Sequence, residues 1–298
     1  MLRFRVLSGI ATASRHPRVR QALERIPFGL DMARVVRDRL VRLLAPGSGE
    51  LVIHTRGLRL AIHAEESCVY HYVLGEYEPV TASLFEEACH EGAYVLDIGA
   101  CVGFYSLLAA RRVGQEGKVV AVEPDPSNYG LLRKNIEMND PFGVVAALQV
   151  AVSRPGEDSV WLYRYRYPGY HSLHQDPVET PLSKLRVPSA TVDAIVERFL
   201  GGKVDVVKMD IEGHEVAALE GMVRTFEANP SLTLFVEWNP ARLRDAGVDP
   251  KRLVLKLTEL GFRVRIIEEP SRSVRPISNS DLEREWPRGK FFNLVCER

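Results

Sequence analysis

The chain has 298 residues, 46% of them hydrophobic and 26% charged, with 39 basic side chains balanced by 39 acidic ones. That is ample sequence for a substantial core, and a formal net charge of zero argues against a wholesale nucleic-acid binder. Cys68, Cys89, Cys101 and Cys296 lie far apart with no CxxC or zinc spacing, which predicts reduced thiols in a cytoplasmic protein.

The charge is uneven along the chain. Residues 1–50 hold ten arginines against Glu24, Asp31, Asp38 and Glu50, a local excess of six positive charges. No apolar run there has the length of a signal peptide or a membrane span. Ile26–Leu44 sets Leu30, Ala33, Val36, Leu40 and Leu43 at helical spacing, interleaved with Arg34, Arg37, Arg39 and Arg42. Such a helix either packs on the domain edge with a solvated basic face or docks on an anionic membrane surface or lipid-linked substrate. Packing is the commoner fate and the preferred reading. Ala45-Pro46-Gly47-Ser48-Gly49 then breaks the chain, so a helical extension over 1–50 is expected ahead of one domain over 51–298. Leu51–Ile62 has the pattern of a hairpin turning near Arg56-Gly57, and Cys68–Gly75 and Glu78–His90 read as helical.

Tyr94–Asp125 is the stretch around which the chain is organised. A short apolar run, Tyr94–Leu96, ends in Asp97 and a glycine turn, Gly99 to Gly103. An Ala-rich helical segment, Phe104–Arg112, follows, and a second apolar run, Val119–Val122, ends in Glu123. Strand, turn, helix, strand is the unit of a parallel α/β sheet, whose ligands bind beyond the carboxyl ends of the strands. Gly99 suits backbone angles closed to other residues, and Gly103 is expected to let the helix start approach a ligand. Glu123 stands where an acid accepts hydrogen bonds from ribose hydroxyls. The spacing lacks the third glycine of the dinucleotide fingerprint, and Asp97 would repel a pyrophosphate but not a cationic sulfonium. S-adenosylmethionine therefore fits better than NAD, leaving an NAD-dependent oxidoreductase as an alternative class.

Pro124–Asn139 reads as a helix and Val144–Val152 as a third strand. Val160–Tyr167 alternates like a strand, and Pro168–Pro181 is irregular. The region combines Tyr163, Tyr165, Tyr167 and Tyr170 with Arg164, Arg166, His171 and His174. It is either a functional loop that stacks on sugar faces or meets an anion, or an ordinary edge hairpin. Val204–Asp210 is a fourth strand ending in an acid, followed by Glu212-Gly213-His214-Glu215 and a helix. Leu232–Val236, ending at Glu237, then Phe262–Ile267 and Phe291–Cys296 complete seven strands.

The segments DIGACVGFYS, VEPD and KMDIEGHE, with Glu76-Tyr77-Glu78 upstream, resemble the FkbM family of class I S-adenosylmethionine-dependent methyltransferases. The resemblance runs from about Glu76 to the last strand, and Cys101 stands where the family commonly has Asn. It implies a Rossmann-like, doubly wound seven-stranded sheet with the last strand antiparallel. The implied activity is O-methylation of a sugar, glycan, glycolipid or natural-product hydroxyl. By position it implies cofactor contacts from Glu78, Asp97, Gly99, Ala100, Gly103, Phe104, Glu123, Pro124, Asp125, Val152 and Asp210, with Asp210 facing the methyl group. The chemistry asks for alignment and removal of the hydroxyl proton. Asp210, Glu212 and His214 are the expected catalytic residues; Glu237 is a further candidate, and His171 a fallback base. A divalent magnesium or manganese ion on the carboxylates would serve instead by polarising the hydroxyl. Helix capping is the competing explanation for Glu212–Glu215; function is the preferred reading for Asp210 and Glu212, while His214 suits either. A non-catalytic binding protein anchored by its basic helix is the other alternative class.

Overall fold

A computed structural model of the chain describes residues 49–64, 66, 69–140 and 142–298. These fall into two compact units, one ending at Tyr77 and the other running from Glu78 to Arg298. The basic segment Ile26–Leu44 and Cys68 lie outside the described residues.

In the first unit, β1 (Glu50–Thr55) and β2 (Leu58–His63) pair antiparallel. Arg56 at φ 45° and Gly57 at φ 80° give the two left-handed central residues that a tight hairpin turn demands. The helix α1 (Val69–Leu74) follows, and Tyr72 stacks on Tyr77 at 4.2 Å.

The second unit begins with α2 (Pro79–Ala88), β3 (Tyr94–Ile98), α3 (Phe104–Val113) and β4 (Lys118–Val122). Next come α4 (Pro126–Asn139), β5 (Val145–Leu148), β6 (Ala151–Val152), β7 (Ser159–Arg164), β8 (Ser183–Ala190) and α5 (Val192–Leu200). The chain continues through β9 (Val206–Met209), α6 (Glu215–Glu220), α7 (Val223–Ala228), β10 (Thr233–Trp238), α8 (Pro240–Asp245) and α9 (Lys251–Glu259). It closes with β11 (Arg263–Glu268), β12 (Ser273–Pro276), α10 (Asn279–Glu283) and β13 (Phe292–Glu297).

The main sheet runs β12-β11-β13-β10-β9-β3-β4-β5. Neighbours from β10 through β9, β3 and β4 to β5 are parallel, and β13 is antiparallel to both β10 and β11. The seven expected strands are all present, and β12 adds an eighth at the edge. The central strands read as unbroken apolar runs because both faces are covered, and Leu96, Val120, Val207 and Leu234 are essentially inaccessible.

The expected third strand divides. Val122 at the end of β4 pairs with Leu148, and Glu123 N–H donates to the Leu148 carbonyl; beyond that β4 has no further residue to offer. The chain then leaves the sheet, and β6 joins β8 and β7 in a separate three-stranded sheet.

Candidate functional site

Parallel strands put their carboxyl ends on one edge, and this chain places an acid at each of four. Asp97 is the next-to-last residue of β3, just before the glycine turn, Glu123 and Asp210 follow β4 and β9 directly, and Glu237 lies next to last in β10. All but Asp210 are at most 5% exposed, and the Asp210 side chain is 25% exposed.

The turn after β3 is locked to its neighbours. Gly99 and Ala100 N–H groups both donate to the Val122 carbonyl at 2.9 Å, and Asp210 N–H donates to the Ile98 carbonyl at 3.0 Å. Gly99 has φ 80°, and a Cβ there would lie 1.9 Å from the Asp210 carbonyl oxygen. Gly103, at φ 90°, would put a Cβ 2.6 Å from Leu132 Cδ1. The crowding at Gly103 is thus with the core, and the expected open approach to a ligand is replaced by a packing reason. Ala100 packs with Ala121 and Leu132, and Phe104 lies edge-on to Tyr105. Both serve the fold at this point.

Glu123 is clasped by backbone. Cys101 N–H donates to Oε2 and Asp125 N–H to Oε1, each at 2.9 Å. Burial pushes its carboxyl up to about 7. Cys101 itself holds φ 49°, a left-handed conformation in which Asn is more at ease. Asp125 caps α4, accepting from Ser127 and Asn128 N–H, and pairs with Arg164 at 2.7 Å. Pro124 is half-buried between these two acids, and Val152, at the end of β6, is buried.

A buried lysine, Lys208, is the hub of the remaining acids. It lies beside Asp97 in the ladder between β3 and β9, and its Nζ sits 3.2 Å from Asp210 Oδ2 and 5.1 Å from the Tyr105 ring centre. Burial opposes its charge, but Asp210, Glu78, Glu237 and Asp97 outweigh burial and hold its pKa above the usual value. Glu78, in a left-handed backbone at φ 40°, accepts from the Tyr105 hydroxyl. Asp97 accepts from Ser106 Oγ at 2.6 Å, and burial lifts it to about 6.

Asp210, Glu212 and Glu237 bring one oxygen each within 4.8 Å of one another. Glu212 is buried at φ 51°, and its Oε2 accepts from Arg242 Nε at 3.0 Å. Burial raises it to about 8 despite that arginine, and burial with Asp210 beside it keeps Glu237 well above the carboxylate range. Glu215 closes the loop by accepting from Ile211 and Gly213 N–H.

His214 is buried and apart from this trio. Its Nδ1 lies 3.0 Å from His174 Nε2, and its Nε2 lies 3.0 Å from Ser153 Oγ. Burial, then His174, depresses it to about 3, so the ring is neutral at pH 7.

The aromatic stretch after β7 spans the edge like a strap. At one end Arg164 pairs with Asp125, and the Pro168 carbonyl accepts from Asn128 Nδ2 at 3.2 Å. At the other, Ser172 Oγ donates to the Glu212 carbonyl at 2.8 Å, and Asp176 pairs with Arg242 at 2.5 Å. His171 lies 3.8 Å from Asp125 and its Nδ1 accepts from Tyr165 N–H, so it belongs to the strap's anchorage. Sequence reasoning missed Lys208 and Arg242; a lone lysine inside the apolar run VVKM was the available signal for the first.

This sheet order, with a glycine turn and acids at the carboxyl edge, defines an S-adenosylmethionine-dependent methyltransferase of the Rossmann-like class. The chain belongs to the FkbM methyltransferase family, whose model, the methyltransferase FkbM domain, matches residues 97–264. It is 24% identical to methyltransferase sdnD of Sordaria araneosa, over 61% of this chain and 83% of that one. It is 26% identical to the hexuronic acid methyltransferase AglP of Haloferax volcanii, over 63% of this chain and 71% of that protein. A methyltransferase crystal structure from Aquifex aeolicus, 17% identical, aligns over 72% of this chain and 87% of its own with a TM-score of 0.40. Among the described residues no helix is long and apolar enough to cross a membrane.

Proposed function

We propose that this protein transfers a methyl group from S-adenosylmethionine to a hydroxyl of a sugar, glycan or natural product. The observation that carries the reading is the convergence of Asp210, Glu212 and Glu237 at the strand edge, beside the turn formed by Gly99 to Gly103.

The residues present fit the cofactor. Glu123 offers a buried carboxylate, and Asn128 Oδ1 beside it is buried without a hydrogen-bond partner. A carboxylate with lone pairs left beyond its two backbone donors, and an amide oxygen with no donor, suit a ligand carrying ribose hydroxyls and an amino group. In this reading Glu123, with Gly99, Ala100 and the neighbouring Pro124, holds the nucleoside. Asp97 and Glu78 set the negative potential near the methionine part, and Gly103 and Phe104 keep the turn in shape.

When bound, the cofactor supplies a methyl group on a positively charged sulfur that leaves readily. The chain's part is to orient the hydroxyl and withdraw its proton. Asp210 is the member of the trio most open to the crevice, and Lys208 fixes its carboxylate. It would receive the acceptor hydroxyl and hold its oxygen toward the methyl group that the bound cofactor would supply. Asp210 would take the hydroxyl proton, because burial keeps Glu212 and Glu237 above the carboxylate range. Glu212 and Glu237 supply further oxygens, while His214 acts only through His174 and the strap. The name of the Haloferax relative supports a sugar acid as acceptor class. Product masses after incubation with S-adenosylmethionine and pools of sugars, uronic acids and small alcohols test the proposal. A gain of one methyl on a hydroxylated acceptor is expected, and methylation confined to nitrogen or carbon would overturn it.

A further inference from the structure

The trio has a property that proton withdrawal does not require. Its three oxygens come from three separate backbone positions and lie within 4.8 Å of one another, near the roughly 4.2 Å across a cation with oxygen bonds of about 2.1 Å, so a small inward shift seats one ion. Glu237 is only 5% exposed, and its Oε2 has no hydrogen-bond partner although it is fully enclosed. Across the antiparallel ladder from Glu237 stands Asn293, 2% exposed, whose amide turns toward the Glu78 carboxylate and makes no hydrogen bond to Glu237. Directly paired residues present their side chains on the same face of the sheet, so the unmet Glu237 Oε2 and this amide line one buried polar pocket. Leaving such groups unmet costs about 1–3 kcal/mol each, more for a charged one.

The nearby cations do not meet this need. Lys208 is directed to Asp210 Oδ2, and the Arg242 Nε contact is to Glu212 Oε2. Neither hydrogen-bonds to Glu237 Oε2. An all-oxygen, carboxylate-rich donor set suits a hard divalent ion and not a thiophilic one.

We propose that Asp210, Glu212 and Glu237 bind one hard divalent cation, magnesium or manganese, and that this ion selects acceptors presenting two neighbouring oxygens. Three protein oxygens leave about three of six octahedral positions for water or substrate. A vicinal diol or a hydroxyl beside a carboxylate, as on a uronic acid, fills two of them in a chelate ring; an isolated alcohol fills one. The inference rests on the methyltransferase reading of this crevice and deepens it, because the ion would acidify the hydroxyl that the carboxylates receive.

The test titrates the full chain with manganese chloride alone, following free manganese by electron paramagnetic resonance. Calorimetry with S-adenosylhomocysteine runs in parallel. One manganese per chain is expected, displaced by excess magnesium. Glu237→Gln and Asp210→Asn should weaken it by at least about ten-fold, while exposed Glu259→Gln leaves it unchanged. A sugar with a vicinal diol should lower the water-proton relaxation caused by bound manganese, and its deoxy analogue should not. No saturable binding up to about 1 mM, the weak end for carboxylate calcium sites, overturns the site. Equal effects from diol and deoxy sugar overturn the selection. If S-adenosylhomocysteine binds and manganese does not, the ion fails and the methyltransferase reading stands; if neither binds, the crevice assignment falls with it. The wild-type titration decides the matter even where a variant fails to fold.

Discussion

Replacing Gly99 and Gly103 separately by alanine distinguishes two kinds of crowding within one turn. Both glycines have left-handed φ values, 80° and 90°, so each alanine costs about 1–2 kcal/mol in backbone energy alone. At Gly103 the new Cβ meets the tip of Leu132, a buried side chain that has to repack, adding about 1–3 kcal/mol. At Gly99 it meets the backbone carbonyl of Asp210 at 1.9 Å, and a carbonyl cannot rotate aside. The end of β9 has to retreat by more than about 1 Å to reach ordinary contact. That movement stretches the bond from Asp210 N–H to the Ile98 carbonyl, now 3.0 Å. The expected loss is about 2–4 kcal/mol for Gly103→Ala and about 5 kcal/mol or more for Gly99→Ala, an exceptionally large single-site effect. Urea unfolding followed by circular dichroism measures both. A Gly99→Ala protein within about 1 kcal/mol of Gly103→Ala would refute the argument that the β3 turn is pressed against the end of β9.

Four other outcomes are expected. Glu123→Ala should weaken S-adenosylmethionine by about 1.5–3 kcal/mol in calorimetry; because burial raises the carboxyl to about 7, wild-type affinity should rise as pH climbs from 6 to 8 and the acceptor form fills, a trend absent from the variant. Asp210→Asn should bind the cofactor nearly normally and lose about 10²–10⁴-fold in turnover, and unchanged turnover on the true acceptor would return this acid to a structural role. Arg242→Met strips the buried Glu212 of its partner and leaves Asp176 with Arg288 alone, so a loss of about 3–5 kcal/mol and new proteolytic cuts between Tyr165 and Glu179 are expected. His214, held near 3 in the fold, takes up its proton mainly on unfolding. Wild-type stability should therefore fall as pH drops below about 6.5, by up to about 1.4 kcal/mol per unit from this ring, and His214→Gln should flatten that slope.

The glycine-turn half of the candidate site was legible as structure in the sequence because its logic is local. The run from Tyr94 to Glu123 contains its strand, turn, helix and acid in about thirty consecutive residues, each with its own periodicity or turn chemistry. The acceptor half was legible only as a set of acids, since what organises them is distant in the chain. Arg242 reaches Glu212 across 30 positions and Asp176 across 66, and nothing around Pro240 signals either contact. The strand β8 was hidden because Pro188 interrupts its pattern; the pairing of Pro188 with Ser159 places it on the ladder with β7, where its missing N–H is tolerated. Gly103 was recognised as necessary for a wrong reason, because Leu132 lies a helix away in sequence and directly against it in space.

Lys208 gives the strand edge an internal counter-ion. At 1% exposure its ammonium is beyond the reach of dissolved ions, whereas pairs such as Lys251 with Glu283 stand in the solvent. Salt at molar strength shortens the screening distance to about 3 Å and dissolves attractions of the second kind, but it acts weakly on the first. The potential that the buried Asp97 presents beside the turn is therefore set by the chain itself and only weakly by monovalent salt. A protein built this way keeps the same electrostatic character at its site in brine and in dilute buffer, even as its surface loses its ion pairs.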